Sequence, residues 1–420
     1  MVQISLSDGL AEAGTAALSR PLSGSAGGLR LDRVEGGEAL ALLGPDWDRL
    51  AAVAPEATSF VTAAWTRGAL TLDPARTPVI LRLRRGDRLV GALPLTIGKE
   101  RASGVPLRTA RIAGFPLTDR FTFLVDPEVP EATGMLLDAT LDLPVDVVLL
   151  TEALESAAAA GAIRRWILAR NLRAASRLAS EARSFALEFE DAAGLEARYP
   201  IKHRTNTRRT RRRLDEAGQV GFDHLRPKPA EVGRMIERLK AVEDRAWQGQ
   251  GGTGIFSSTA RLLWLADVLE ALAADGALFA EVMTIDGEDA MYMMGMAHRG
   301  VFYYYNTAFV PGRIRGSAFS VLLHEMMQEL RRAGLQVIDT SRNTPGVEHM
   351  FDHLRPDRLE HRHFAIFNAT LPAWIYRTVL LDLRPALHAL RARLRKAAPL
   401  VQKWTVVGRR PDGEAAGGSR

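Results

Sequence analysis

Residues 301–346 read VFYYYNTAFVPGRIRGSAFSVLLHEMMQELRRAGLQVIDTSRNTPG and decide the fold of this chain. An aromatic run typical of a strand is followed by a basic, glycine-containing loop. The next apolar residues have the spacing of one helix face: Phe319, Leu322, Leu323, Met326, Met327 and Leu330. Gly334 ends that helix, and residues 335–339 predict another strand. The stretch therefore predicts a strand, an anion-holding loop, a helix and a second strand in succession.

Composition limits the class of protein in which this strand–loop–helix–strand unit occurs. The chain has 420 residues, of which 47% are hydrophobic and 25% charged, so we expect a globular protein of two or three domains. The sequence contains no cysteine, which excludes disulfides, cysteine metal sites and thiol nucleophiles. No run of about 18 apolar residues lacks charge, and the first residues do not form a secretory signal pattern. We therefore expect a cytoplasmic protein without a membrane span.

The unit has a second copy about 200 residues earlier in the chain. Residues 78–97 predict two strands around a turn at Gly86, and residues 277–309 predict a matching set around Gly287. Residues 134–150 then supply a helix and a strand, as residues 319–339 do in the later copy. The predicted fold class is α/β with a mixed sheet, made of two related units.

The repeat suggests domain boundaries. We expect a disordered tail over 1–30, one domain over 31–195, a second domain over 196–405 and a disordered tail over 406–420. The linker before the second domain includes a short predicted strand at 185–191, and residues 371–396 predict helices with a basic C-terminal end.

A basic helix opens the second domain. Residues 199–213, YPIKHRTNTRRTRRR, contain seven Lys or Arg and no acid. The formal net charge of the whole chain is +6, so removing these seven leaves −1. Two roles are open for the helix: a surface that contacts phosphates or an anionic acceptor, or a solvated face paired with nearby acids.

The loop between the predicted strand and helix can bind phosphate. Its residues Arg313, Arg315, Gly316, Ser317 and Ala318 combine cations with backbone N–H groups at a helix N-terminus. The spacing matches neither a Walker loop nor a GxGxxG fingerprint. A solvated turn before an ordinary helix fits the spacing equally well.

RIRGSA is similar to the pyrophosphate loop of the GNAT acyltransferases, and residues 40–370 resemble the CelD/BcsL-type acetyltransferases of cellulose and exopolysaccharide production. The likeness rests on ATSFVTAAW (57–65), RTNTRRTRRRLDEAGQVGF (204–222), EDRAWQGQGGTGIF (243–256) and the opening stretch. It implies tandem GNAT-like domains, the second of which binds acetyl-CoA or another acyl-CoA. Tyr305, Asn306 and Asn343 join the loop residues as expected cofactor contacts. The first copy has acids at 126–131 where phosphate would lie, so we expect it to be structural or substrate-shaping.

Two carboxylates and either of two histidines are candidates for proton transfer. Glu243 lies one helical turn before Trp247, although a solvated helix carboxylate is the alternative. Asp339 ends the strand beside the loop, where it could instead be a cap or an ion-pair partner of Arg342. The family pattern places a tyrosine acid seven residues after Asn343, where this chain has Met350, which cannot donate a proton. His349 or His353 could substitute, the thiolate could leave unassisted, or this chemistry could be lost.

The leading hypothesis is an acyltransferase that moves an acyl group from acyl-CoA to an amine or hydroxyl acceptor, with Trp247 and Arg209 contacting substrate. The sequence has no metal-ligand motif, and a metal is not expected. One alternative is a Fem-like aminoacyl transferase, in which the basic helix would contact tRNA. The other is a catalytically silent GNAT-fold binding module. Acceptor identity and oligomeric state are not indicated by the sequence.

Overall fold

The computed structural model describes residues 20–21, 28–246, 254–313, 318–342 and 351–383. Within these ranges the chain forms one 14-stranded mixed sheet with helices on both faces. In chain order, β1 to β14 are Arg20–Pro21, Leu29–Glu35, Thr77–Arg85, Arg88–Ala102, Val105–Ile112, Leu124–Val125, Val147–Leu154, Ala174–Ala186, Val220–Leu225, Leu278–Ile285, Glu288–His298, Val301–Phe309, Val337–Asp339 and Asp357–Phe367. Helices α1 to α11 are Gly37–Ala41, Pro45–Val53, Ala63–Thr71, Ala132–Leu141, Ala158–Ala169, Ala192–Arg198, Ile201–Ala217, Val232–Arg245, Thr259–Ala274, Phe319–Arg332 and Leu371–Thr378.

The sheet confirms the predicted repeat. Its order is β1-β2-β3-β4-β5-β7-β14-β8-β13-β12-β11-β10-β9, and β6 pairs with β4. Three consecutive antiparallel strands, β3 to β5, lead through α4 to the parallel strand β7. In the same way, β10 to β12 lead through α10 to the parallel strand β13. Each connection returns through a helix because parallel neighbours need a crossover.

The two repeats exchange one strand each at the middle of the sheet. β8 follows the first repeat in sequence but pairs with β13 of the second, and β14 follows the second repeat but pairs with β7 of the first. β8 and β14 also pair with each other. The prediction of a short strand at 185–191 was wrong, because β8 covers Ala174–Ala186. Its residues are mostly polar or small, so its place depends on backbone pairing with β14 and not on an apolar pattern.

A shared core on one face of the sheet joins the repeats. It contains Trp47 and Trp65 from α2 and α3 together with Leu239 and Trp264 from α8 and α9. On the opposite face the repeats have separate cores, one under α4 and α5 and one under α10. No helix in the described part of the chain has the length and apolarity needed to cross a membrane.

Candidate active site

The parallel strands β12 and β13 pair over only three residues, and a gap lies beyond the end of β13. Residues 301–303 of β12 pair with residues 337–339, which are the whole of β13, whereas β12 continues to Phe309. Beyond Tyr303, no described strand pairs with this edge of β12. An extended ligand carrying amide groups could therefore lie along it as an added strand would. We call this gap the β12–β13 opening.

A β-bulge lies on β12 beside this opening. Met294 of β11 pairs with Asn306, and the next residue, Gly295, pairs with Tyr304. Tyr305 is therefore the extra residue, and the ladder is interrupted at that point. The bulge falls within the aromatic segment where the sequence predicted cofactor contacts.

The bulge turns two consecutive side chains toward the shared core. The Tyr305 ring lies edge-on to Trp65, with 5.3 Å between ring centroids, and its hydroxyl donates to the Leu117 carbonyl oxygen at 3.2 Å. Burial raises the pKa of Tyr305 well above its usual value, so its phenol stays protonated. The Asn306 amide donates toward Glu243 on α8 at 3.3 Å. A regular strand would have sent these neighbours to opposite faces.

Glu243 is a buried carboxylate with three donors. Its side chain is 2% exposed, so the alternative of a solvated helix carboxylate is wrong. Oε1 accepts the Phe256 backbone N–H at 2.9 Å, and Oε2 accepts the Tyr292 hydroxyl at 3.1 Å as well as the Asn306 amide. Asn306 also donates to the Tyr292 oxygen at 2.6 Å. Gly254 is needed beside the carboxylate, because a Cβ there would lie 1.7 Å from Oε1.

Asp339 has a different partner from the one the sequence suggested. Both carboxylate oxygens accept from Arg120 Nη2, at 2.7 and 2.9 Å, and Oδ1 also accepts the Ser341 backbone N–H at 2.8 Å. The expected ion pair with Arg342 is therefore replaced by one with Arg120 of the first repeat. With both oxygens engaged by a buried arginine, Asp339 fixes β13 to the segment before β6.

A second set of buried polar side chains lies where the exchanged strands β8 and β14 meet. We call these five side chains, which are named next, the seam cluster. Arg342 Nη2 lies 3.0 Å from Asp119 Oδ1, and Arg342 Nη1 lies 3.3 Å from Glu152 Oε1. His361 Nδ1 and His363 Nε2 each lie 2.9 Å from a Glu152 oxygen. These five residues come from both repeats: Glu152 is near the end of β7, Arg342 follows β13, the two histidines are in the middle of β14, and Asp119 precedes β6.

The seam cluster shifts the proton affinities of its carboxyl groups in opposite directions. Burial raises the pKa of Asp119 to about 7, although Arg342 opposes this rise. Burial would also raise the pKa of Glu152, but hydrogen bonds with His361 and His363 bring it well below its usual value. Two carboxyl groups with separated proton affinities in one buried site are typical of catalytic centres, though ion-pair networks also produce them.

Backbone strain marks the same place. Glu152 has φ +57° and Ser341 has φ +56°, both in the left-handed region that such side chains rarely adopt. Such strain costs on the order of 1–3 kcal/mol and concentrates at functional sites. The seam cluster lies beside the bulge, because Arg342 donates to the Pro116 carbonyl oxygen and Tyr305 donates to the carbonyl oxygen of the next residue, Leu117.

A cavity of about 400 Å³ borders this region on the shared-core side. Its lining includes Arg120, Thr122, His298, Arg299 and Tyr303, together with Glu56, whose carboxylate accepts the first backbone N–H groups of α5. Among the described residues, no cluster of His, Asp or Glu has an arrangement that could hold a metal ion.

The remaining predicted site residues fall into two groups. Arg313 forms an ion pair with Glu288, Ala318 is buried at the start of α10, and Arg209 donates to Asn206 on the exposed side of α7. Six further predicted residues lie outside the described residues: Trp247, Arg315, Gly316, Ser317, Asn343 and His349. Met350 lies outside them as well.

No motif in the sequence predicted the seam cluster. Its members are spread from Asp119 to His363, and only the strand exchange brings them together. A run of polar residues, Thr118-Asp119-Arg120, within an otherwise apolar stretch was the one feature that could have indicated it.

Comparison with known proteins agrees with this geometry. Residues 202–349 match the acetyltransferase (GNAT) domain family. The match covers α7 to β13, and therefore includes the bulge, Glu243 and Asp339. Because the first repeat has the same strand order, the chain is a tandem of GNAT-like units in one sheet. No curated protein matches the chain significantly by sequence.

Solved structures resemble most of the chain in fold. FemX is 12% identical, with a TM-score of 0.54, over 79% of this chain and 98% of its own. The C-terminal DUF2156 domain of an Agrobacterium fabrum protein named as a lysylphosphatidylglycerol synthetase is 14% identical, with a TM-score of 0.52, over 82% and 96%. A Bacteroides thetaiotaomicron protein of unknown function is 11% identical, with a TM-score of 0.52, over 78% and 97%. At these identities the likeness concerns the fold.

Proposed function

We propose that this protein is an acyltransferase that takes an acyl group from acyl-CoA and gives it to an amine or hydroxyl acceptor. The observation that carries the proposal is the β12–β13 opening, with its bulge at Tyr305 and the buried Glu243 beside it. The match to the GNAT domain family supports the reaction class.

The donor fits the opening by its chemistry. A CoA thioester ends in an extended arm with two amide groups, and the unpartnered edge of β12 offers complementary backbone groups. The loop expected to hold the pyrophosphate lies largely outside the described residues. One of its described residues, Arg313, has Glu288 as partner, so phosphate binding would have to replace that ion pair.

Two carboxyl groups are candidates to accept the proton from the acceptor. Glu243 is joined to the bulge through Asn306, and its three donors fix its position. Asp119 has a pKa of about 7, which is the range that suits a general base at neutral pH. We assign the base to Glu243 because it contacts the bulged strand directly, and we keep Asp119 as the competing assignment.

The leaving thiolate needs a proton from a different group. Tyr305 lies on the bulge and remains protonated because burial raises its pKa. Its one hydroxyl proton is donated to the Leu117 carbonyl oxygen, so Tyr305 would have to leave that hydrogen bond to pass the proton to the thiolate sulfur. This assignment replaces the acid that the family pattern places at Met350.

The acceptor is proposed from the sequence resemblance alone. The CelD/BcsL-type acetyltransferases are associated with polysaccharide production, so a sugar amine or hydroxyl is our first choice. The donor is a cytoplasmic metabolite, and we accordingly place the reaction in the cytoplasm. We also propose that the second repeat, within 196–405, carries the reaction, and that the first repeat, within 31–195, shapes the acceptor side.

A Fem-like transfer from aminoacyl-tRNA is the second candidate, and α7 favours it. Arg212 and Arg213 are exposed on this helix, and neither forms an ion pair with a described residue. If tRNA is the donor, neutralising both should abolish salt-sensitive tRNA retention. Neutralising Arg208, which pairs with Glu196, is the matched control.

The direct test is release of free thiol from acetyl-CoA in the presence of amino sugars and simple amines. We expect release that depends on an acceptor and that disappears without protein. Acceptor-independent binding with no release would favour the catalytically silent module. Release only from aminoacyl-tRNA would overturn the acyl-CoA proposal.

A further inference from the structure

The chain between β5 and β6 reaches from the first repeat to both sides of the β12–β13 opening. Residues 113–120 of this connection read AGFPLTDR, and we call them the bridging loop. On the β12 side, the Leu117 carbonyl oxygen accepts the Tyr305 hydroxyl at 3.2 Å. On the β13 side, the carbonyl oxygen of the preceding residue, Pro116, accepts Arg342 Nη2 at 2.8 Å. Two adjacent residues of the first repeat therefore contact the two sides of the opening.

Charged side chains at the end of the bridging loop add to its contacts on the β13 side. Asp119 Oδ1 lies 3.0 Å from Arg342 Nη2, and Arg120 Nη2 donates to both oxygens of Asp339. Arg120 Nη2 also lies 3.4 Å from the Ser341 carbonyl oxygen. Asp119, Arg120 and Asp339 are all buried, and breaking a buried ion pair is strongly unfavourable. Residues 339–342, where β13 ends, are therefore fixed to the bridging loop.

The bridging loop is itself held in one conformation by the shared core. Thr118 Oγ1 accepts the Trp65 indole N–H at 3.0 Å, and Trp65 is the ring that lies edge-on to Tyr305. Gly114 has φ +78°, and its carbonyl oxygen accepts the backbone N–H groups of Leu117 and Thr118 at 2.6 and 3.0 Å. A Cβ at Gly114 would lie 2.2 Å from Thr118 Oγ1. This conformation determines where the Leu117 carbonyl oxygen lies.

The Leu117 carbonyl oxygen matters because Tyr305 lies on the β-bulge. The phenol has one hydroxyl hydrogen, and burial keeps it on the oxygen, so its direction is set by the acceptor that it meets. The ladder is interrupted at Tyr305, so strand pairing alone does not fix this residue. A catalytic side chain must be held within a fraction of an ångström, which requires support from neighbouring residues. The bridging loop supplies that support until the thiolate takes the proton.

We propose that the bridging loop of the first repeat is a positioning element for the reaction in the second. It sets the place of the Tyr305 hydroxyl and the separation between β12 and residues 339–342. This inference rests on the proposed acyltransferase function, and it gives the first repeat a part in the transfer step in addition to the acceptor side. The bridging loop acts through Tyr305 and not by contact with the reacting atoms.

The first test measures thiol release from acetyl-CoA by threonine variants of the full chain, per folded molecule. Thr118→Val removes the acceptor of the Trp65 indole and should lower kcat by about tenfold to a hundredfold, as a displaced catalytic group does. The KM for acetyl-CoA should change less than about threefold, because Arg313 and Arg315 are unchanged. Thr118→Ser keeps the hydroxyl and should restore most of kcat.

Two matched controls separate positioning from loss of stability. Thr140 is buried on α4 of the first repeat and donates to the Leu137 carbonyl oxygen, so Thr140→Val loses a hydroxyl without changing the bridging loop. It should keep wild-type kcat. Gly114→Ala should displace the bridging loop through the clash with Thr118 and lower kcat. Gly104→Ala is its control, because Gly104 also has a positive φ, +84°, but nothing lies within 4 Å of its added Cβ.

Hydrogen exchange tests the bridging loop without turnover. Backbone amides of residues 303–309 and 337–341 should exchange at least about fivefold faster in Thr118→Val than in Thr140→Val, because the contacts across the opening are loosened. Equal exchange in these two variants, or wild-type kcat in Thr118→Val, would overturn the inference. Absence of thiol release by the wild type would instead refute the proposed function, and the exchange rates alone would then decide whether the bridging loop holds the opening.

Discussion

At the scale of single residues, Glu243 joins the bulged strand to the shared core. Its carboxylate accepts bonds from a backbone N–H, a phenol and an amide, and these three donors come from three separate segments. A carboxylate whose position is fixed by three hydrogen bonds can act on a substrate without moving first. The sequence indicated Glu243 from its distance to Trp247, but the burial and the partners could not be read from that spacing.

We expect Glu243→Gln to lower the turnover number by about 10²–10⁴-fold, the usual contribution of a general base. The substitution also replaces a carboxylate oxygen with an amide NH₂ group that faces the donors around Glu243. One donor then loses its acceptor, which should lower the free energy of unfolding by about 1–3 kcal/mol. Acetyl-CoA affinity should stay near wild type. Tyr292→Phe is the matched control, since it removes one donor but keeps the carboxylate. Wild-type turnover in Glu243→Gln would assign the proton transfer elsewhere.

The raised pKa of Asp119 predicts how the stability of the protein depends on pH. Its pKa is about 7 when folded, against 3.8 for the ordinary group, with Arg342, Glu152, Arg120 and Asp339 as its charged neighbours. The folded state therefore holds an extra proton between these values, and stability falls as pH rises through 7. Urea unfolding should show Asp119→Asn gaining stability relative to wild type between about pH 5 and about pH 8. The opposite trend would mean that Arg342 dominates over burial.

At the scale of elements, the bulge on β12 depends on Gly295. A Cβ at this position would lie 2.2 Å from the Tyr303 carbonyl oxygen. Gly295→Ala should therefore shift β12 and lower the free energy of unfolding by about 1–3 kcal/mol. Gly233→Ala on α8 is the control, because nothing lies within 4 Å of its added Cβ, and it should be neutral or slightly stabilising. Chemical denaturation would measure the free energy of unfolding of both variants, provided that its slope against denaturant concentration is the same in both. Equal stability of the two variants would contradict the predicted clash between a Cβ at Gly295 and Tyr303.

The elements differ in how far the sequence could predict them. β10 to β12 and α10 were predictable because apolar periodicity and glycine turns act over short distances. β8 was misplaced because its apolar pattern is weak, and backbone pairing with β13 and β14 holds it in the sheet instead. The seam cluster was the hardest feature to predict, since its residues come together only after the strands exchange and only the polar run at 118–120 stands out in the sequence.

At the scale of the whole molecule, the strand exchange and the shared core make the two repeats interdependent. β8 and β14 each pair with the other repeat, and α3 packs on α9 so closely that a Cβ at Gly68 would lie 2.3 Å from Trp264. We therefore expect one cooperative unfolding transition, with tryptophan fluorescence and circular dichroism giving the same midpoint. Two separated transitions would show that the repeats are independent domains.

The central claim concerns the donor. Calorimetric titration of the full chain with acetyl-CoA, beside an Arg313→Ala/Arg315→Ala variant, tests it most directly. We predict saturable binding by the wild type that weakens at least about tenfold in the variant, because charge-assisted bonds to phosphate are lost. No heat of binding at millimolar acetyl-CoA, or equal binding by both proteins, would contradict the assignment of acyl-CoA to the β12–β13 opening.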